Sequence, residues 1–294
     1  MDIKELQLFL HLSKSLHYAK TSQDCHVSPS TLTRVVQKLE QQSGCLLLER
    51  DNRTVRLTRE GVMFREFAVA VMDNWQQFQA EVSTSVSSLH GELSVFCSVT
   101  ASYSFLHELL DRYRADYPEV EIHLHTGDSA MAVQRIQEEL EDISVAARPD
   151  KLPGNLEFKE IGQSKLVFIA PLASSEARKK WGFKSLADIS DWQGIPFIAS
   201  ESGLARQRTD RWFRAKGVKP SIYAQVSGNE AIVSMVSLGF GIGVVPLLVV
   251  QNSLLGSKIE ILDVSPPLEP FSIGLCTMKR KLGNPLVQAF WNLA

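Results

Sequence analysis

The chain has 294 residues, with 31 Lys and Arg against 33 Asp and Glu and a formal net charge of −2. That length holds two or three domains, and so balanced a charge excludes a protein that coats nucleic acid over its whole surface. Four scattered cysteines with no C-x-x-C pair argue against a zinc site or a disulfide framework and for reduced, mostly buried thiols. No apolar run precedes a cleavage site and no stretch reaches about 18 apolar residues, so neither export nor membrane insertion is expected and a cytoplasmic location is. The charge is uneven. Residues 1–59 carry nine basic and six acidic side chains, a net +3, which leaves −5 for the remainder.

Leu6, Phe9, Leu10 and Leu12 open the chain as a helical apolar stripe. From Tyr18 to Gln42 the sequence reads as two short helices joined by a tight turn. Ser28 followed by Pro29 is a strong helix start, and Leu32, Val35, Val36 and Leu39 mark the buried face of the second helix. Its other face carries Ser28, Pro29, Ser30, Thr31, Thr33, Arg34, Gln37 and Lys38. Short hydroxyls and a guanidinium at the front of a helix suit base edges and phosphates in a major groove. After Gly44, a plausible helix stop, Leu46–Leu48 and Val55 with Leu57 flank a polar tip, Asp51-Asn52-Arg53. That is a two-stranded hairpin with Arg50, Arg53 and Arg56 on it. A helix-turn-helix followed by a basic hairpin is a winged helix.

These residues carry a resemblance. HVSPSTLTRVVQKLE and LLLERDNRTVRLTREG resemble the winged helix-turn-helix of LysR-type bacterial transcription regulators. Thr21, Ser22 and Cys25 depart from the small and aliphatic residues usual there, but all three are small enough to be buried. The resemblance implies that Ser28 to Arg34, Gln37 and Lys38 face operator DNA, with Arg53 on the wing.

From Thr58 onward Phe64, Phe67, Val71, Trp75, Phe78, Val82 and Val86 recur at spacings of 3 and 4. The spacing predicts one helix of about 40 Å at ~1.5 Å per residue. An aromatic stripe of that length needs another helix, and a second copy of itself around a two-fold axis is the simplest partner. The resemblance agrees: this looks like the family's linker helix, in a homodimer or homotetramer. A hinge is expected over 83–91.

Beyond Gly91 apolar strands alternate with helices: 93–99, the strand ending at Gly127-Asp128, 143–147, 166–170, 196–200, 222–226, 242–246, 258–262 and 271–277. The alternation argues for parallel α/β layers. The glycines of VSMVSLGFGIGVVP read as close helix–strand packing, since no phosphate-loop register is present. The resemblance implies a two-lobed α/β effector domain like periplasmic binding proteins. The expected organisation is 1–58 for DNA binding, 59–90 for the linker helix and hinge, and 91–294 for the effector domain. Lobe I would take about 91–163 and 266–294, and lobe II about 164–265.

Ligands of α/β sheets bind beyond the strand ends, near free helix N-termini. Ser98, Thr100, Ser102, Thr126, Asp128, Ser200 and Ser202 lie at such ends, with Arg206 or Arg208 as a possible counter-charge. Hydroxyls and backbone amides there suit a small carboxylate, although Ser98, Thr100 and Ser102 could equally be helix caps. No catalytic constellation and no complete metal-ligand set is legible; His123 and His125 simply alternate on a strand. No cofactor is expected and the chain reads as a binding protein. Within the family, stretches such as GELSVFCSVTASYSFL and GNEAIVSMVSLGFG resemble activators of the acetohydroxyacid isomeroreductase gene of branched-chain amino-acid synthesis. That would imply acetolactate or acetohydroxybutyrate as inducer and RNA polymerase as a partner. A family member sensing another small carboxylate stays open, as do a solute-binding protein and an enzyme on the same two-lobed fold.

Overall fold

The computed structural model describes residues 1–50, 55–82, 89–181, 192 and 194–294, with side chains omitted at a few of these. The chain divides at about residue 88 into two compact units.

The first unit begins with α1 (Ile3–Ser15), α2 (Tyr18–Asp24) and α3 (Pro29–Ser43), followed by β1 (Leu48–Arg50), β2 (Val55–Leu57) and α4 (Arg59–Val82). The first and third helices show the capping most clearly. Asp2 accepts from the Glu5 amide while Glu5 accepts from the Asp2 amide, which satisfies two orphan donors at once. Ser28 caps α3 by accepting from the Thr31 amide at 3.1 Å, and Gly44 ends it in the left-handed region at φ 71°. Leu6, Phe9, Leu12, Leu32, Val36 and Leu39 are fully or almost fully buried among the three helices. Thr21 and Ser22 are buried too, and the Thr21 hydroxyl pairs with that of Ser15. β1 and β2 pair antiparallel, Leu48 opposite Leu57. The tip 51–54, with Arg53, and the side chain of Arg50 lie outside the described residues.

The front of α4 is bound to this core. A Cβ at Gly61 would lie 1.9 Å from the Leu47 carbonyl oxygen, so only glycine permits that approach. Phe64 is buried, edge-on to Phe9 with centroids 5.0 Å apart. The start of the stripe is thus already covered within the chain: Phe64 and Ala68 pack with Leu6 and Phe9, and Val71 and Met72 lie partly buried against them. Phe67, Trp75 and Phe78 remain 50%, 40% and 54% exposed. The side chains of Val82 and Val86 and most of the expected hinge lie outside the described residues.

In the second unit, β3 (Gly91–Cys97), β4 (Val120–Thr126), β5 (Ile143–Ala147), β6 (Leu156–Ser164) and β12 (Phe271–Met278) form one sheet in the order β4-β3-β5-β12-β6. β7 (Leu166–Pro171), β8 (Pro196–Ser200), β9 (Ser221–Val226), β10 (Ile242–Pro246) and β11 (Ile259–Leu262) form the other, in the order β11-β7-β10-β8-β9. The sheets are mixed, which corrects the expectation of parallel layers. β4-β3-β5 and β9-β8-β10 are parallel, but β6, β7, β11 and β12 pair antiparallel with their neighbours. The reason is the crossing: Lys165 alone separates β6 in one sheet from β7 in the other, and β12 returns to the first sheet between β5 and β6. β6 was not legible as a strand because charged Glu157, Lys159 and Glu160 interrupt its apolar residues. Gly243 has the packing role its neighbourhood suggested, since a Cβ there would sit 2.4 Å from Ile232.

Candidate DNA-reading helix and effector cleft

On α3 the residues Ser28, Pro29, Ser30, Arg34, Gln37 and Lys38 are exposed, and Thr31 and Thr33 are half-buried. The capping hydroxyl of Ser28 also lies 2.8 Å from those of Ser30 and Thr31. The cap therefore fixes a cluster of small donor–acceptor groups at the helix front. Thr31, Arg34, Gln37 and Lys38 border one open depression with Glu5 of α1. Lys38 is not a free cation there. Its ammonium pairs with Glu5, and that contact holds the Glu5 carboxyl below the usual carboxylate range. Arg34 is the stronger candidate for a base edge, because its planar fork can bind two acceptors at once.

In the second unit two adjoining cavities lie between the sheets. The larger, about 180 Å³, is bordered by Asp128, Ser200, Ser202, Gly203 and Gln207. The smaller, about 60 Å³, is bordered by Ser98, Thr100, Phe105, Val145 and Leu248. Ser129, Ala147, Asn229, Pro246 and Phe271 border both. Of the sequence-predicted residues, Ser98, Thr100, Asp128, Ser200 and Ser202 thus reach the cleft, while Ser102, Thr126 and Arg206 do not border either cavity. Ser102 is turned back, donating to the Val99 carbonyl at 2.6 Å. Thr126 is exposed at the end of the edge strand β4.

Neither arginine supplies the expected counter-charge. Arg206 donates through Nε to both oxygens of Asp210 and through Nη1 to the Ser200 carbonyl at 2.7 Å. Arg208 is buried against the Glu269 and Pro270 carbonyls and over the Phe271 ring. Both brace the walls of the cleft. What borders the larger cavity instead is the start of the 14-residue helix Gly203–Lys216, whose free N–H groups amount to roughly half a positive charge. Ser202 sits at its N-cap and makes no side-chain cap bond, so its hydroxyl is not spent on its own helix. Ser98, by contrast, caps its helix through the Ala101 amide at 3.2 Å.

Among the hydrogen bonds that join the two lobes, two involve residues close around the cavities. Thr100 donates to Glu230 at 2.6 Å, and Ser227 donates to Asp128 at 2.7 Å. Asp128 also accepts from the Ala130 amide, and its oxygens keep lone pairs for a ligand hydroxyl. Sequence reasoning missed Ser129, Asn229, Gln207 and Phe271 at this site. The one available signal was Gly228, which turns at φ 84° just before the helix Asn229–Ser237. Strand pairing also brings Glu92 and Glu121 to 3.7 and 3.4 Å from His123, donors that sequence spacing did not place together. All three are at least part-exposed. Burial pushes the Cys97 thiol up to about 11 and the Cys276 thiol up to about 12, so both are inert at neutral pH.

No helix among the described residues is long and apolar enough to cross a membrane. Residues 3–62 match the family model "Bacterial regulatory helix-turn-helix protein, lysR family", and residues 87–294 match "LysR substrate binding domain". Over 292 residues the chain is 44% identical to the HTH-type transcriptional activator IlvY of Haemophilus influenzae, with 99% of each covered. Identity to the HTH-type transcriptional regulator IlvY of Escherichia coli is 41% over 296 residues, 100% of this chain and 98% of that one. Among solved structures, a full-length OxyR variant from Pseudomonas aeruginosa gives a TM-score of 0.72 at 20% identity, covering 100% of this chain and 94% of that one. Full-length CbnR complexed with its target DNA gives 0.59 at 20% identity, covering 100% and 98%.

Proposed function

The chain belongs to the LysR family of bacterial transcription regulators, and from that premise we propose that it activates the acetohydroxyacid isomeroreductase gene in response to acetolactate or acetohydroxybutyrate. It is a DNA-binding regulator of branched-chain amino-acid genes and not an enzyme. Identity above 40% along the whole chain to activators named IlvY supports the target gene.

The observation that carries the ligand is the larger cavity, where the N-terminus of Gly203–Lys216 and the unspent Ser202 hydroxyl lie opposite Asp128. A 2-hydroxy-2-acyl acid suits that arrangement. Its carboxylate takes the helix N–H groups and Ser202, and its hydroxyl donates to Asp128. The ligand shifts the lobes between states only by its differential affinity for them, a coupling of about 1–3 kcal/mol. In this reading α3 holds the operator through Ser28 to Arg34 and Gln37, the wing residue Arg53 adds a phosphate contact, and RNA polymerase responds to the ligand-bound form. Two or four copies bind together through the exposed face of α4.

A gel shift on the DNA upstream of the isomeroreductase gene, at two salt concentrations, tests the reading. A specific complex that survives competitor DNA and responds to acetolactate is expected. Binding no tighter than to random DNA would remove the proposed target gene.

A further inference from the structure

Three local irregularities of the second unit converge on one side chain. After the short helix Val99–Ala101 the backbone widens into a π-helical turn, Ser102–Leu106, before α-helix resumes at His107. A π turn inserts a residue and rotates the rest of its helix, and such turns concentrate at functional sites. Next to it, β6 and β12 slip register: Ile273 faces Gly162, whereas Gly274 faces Glu160. The extra residue, Ile161, makes a bulge, a device that re-aims side chains beside binding sites. Gly162 is the third irregularity. A Cβ there would lie 2.7 Å from Cε1 of Phe105, so its absence gives that ring its berth.

Phe105 therefore stands between Gly162 on one side and the smaller, apolar cavity on the other. Val145, Leu248, Val249 and Ile273 line the same cavity, while Ser129 and Asn229 are among the residues it shares with the larger one. A regular α turn facing an unbroken ladder would pack a core equally well. The departures gain their purpose if the position of the ring matters to what enters the cavity.

We infer that Phe105 is a specificity-determining residue that limits the length of the apolar arm of the ligand. This rests on the cleft being the effector site. With the carboxylate at the Gly203 end, an arm attached to the same carbon enters the smaller cavity and points toward the Phe105 ring. The ring bounds the small cavity, so a longer arm is crowded against it before a shorter one is.

The test is calorimetric titration of the full chain with three 2-hydroxy-2-acetyl acids bearing a methyl (acetolactate), ethyl (acetohydroxybutyrate) or propyl arm. Wild type is expected to bind the propyl acid about tenfold more weakly than the ethyl acid, the scale of one ill-fitting methylene. Phe105→Ala should bring those two within about twofold, by the same methylene scale. Gly162→Ala, which pushes the ring into the cavity, should weaken the ethyl acid relative to the methyl acid. Phe105→Leu gives the same trend should the alanine variant not fold. Ratios unchanged in folded variants overturn the inference and leave the cleft reading intact. Absence of saturable binding of all three acids to wild type overturns both.

Discussion

The proposed reading helix and the proposed effector cleft of this regulator are built in opposite ways. Every candidate DNA contact from Ser28 to Lys38 sits on one helix that is capped, started and stopped by residues of its own stretch. The cleft draws on seven separated stretches, from Ser98–Phe105 to Phe271–Ile273, and exists only because the chain crosses between the two sheets and returns. A surface of the first kind can be altered without disturbing its support. A site of the second kind is also part of what holds its two lobes in register, through Thr100–Glu230 and Ser227–Asp128.

The comparison breaks most severely where α3 depends on a second copy. Phe67, Trp75 and Phe78 leave an aromatic face of α4 exposed in the single chain. If copies pair through that face as proposed, Trp75→Glu or Phe78→Glu places a charge in the seam, where desolvation of an unpaired charge costs about 3–5 kcal/mol. Sedimentation should show dissociation, and operator binding that requires paired half-sites should disappear. A variant that remains oligomeric with unchanged operator affinity would mean that the face serves another purpose.

Arg34→Ala sharpens the comparison from the DNA side. Operator binding should weaken by about 1–3 kcal/mol while binding to random DNA changes less, because a bidentate base contact carries the discrimination. Fluorescence anisotropy with both DNAs reads the ratio. Lys38→Ala should cost less, since its ammonium is already engaged by Glu5.

The same contrast explains what the sequence reveals. Ser28-Pro29, the stripe Leu32–Leu39 and Gly44 announce α3 because capping and amphipathicity are local. β3, β5 and β12 are legible as apolar runs because both faces of those strands are covered. β6 is not, because Glu157, Lys159 and Glu160 interrupt a strand at the edge of its sheet. At the cleft, hydroxyls at strand ends point to the right ends of the sheets, yet Ser102 and Thr126 carry the same signal and lie outside the cavities. Their difference depends on the local turn and the edge position, which no spacing encodes. Arg206 was misleading for a further reason: a basic residue in the first turn of a helix can reach its own i+4 acid, and Asp210 is there.

A smaller effect tests the rigid part of the cleft's first sheet. Burial alone would push the Asp142 carboxyl up, but the Lys281 ammonium and the Ser94 hydroxyl and amide outweigh it and hold it below the usual carboxylate range. A depressed folded-state value stabilises the fold above the unfolded value of about 4, and that contribution is lost as pH falls through the folded one. Thermal melts from pH 7 downward should show stability falling at acid pH. The Asp142→Asn, Lys281→Met double variant should show a flatter decline. Equal slopes would remove Asp142 from the acid response.

The most direct test of the division of labour is one calorimetric series: acetolactate titrated into wild type, Ser202→Ala and Arg34→Ala. The account expects one saturable site per chain in wild type, an unchanged site in Arg34→Ala, and affinity lower by about 1 kcal/mol in Ser202→Ala, the net value of one hydrogen bond. Equal affinity in all three proteins would take Ser202 out of the site, and no saturable heat in wild type would contradict an acetolactate-sensing cleft outright.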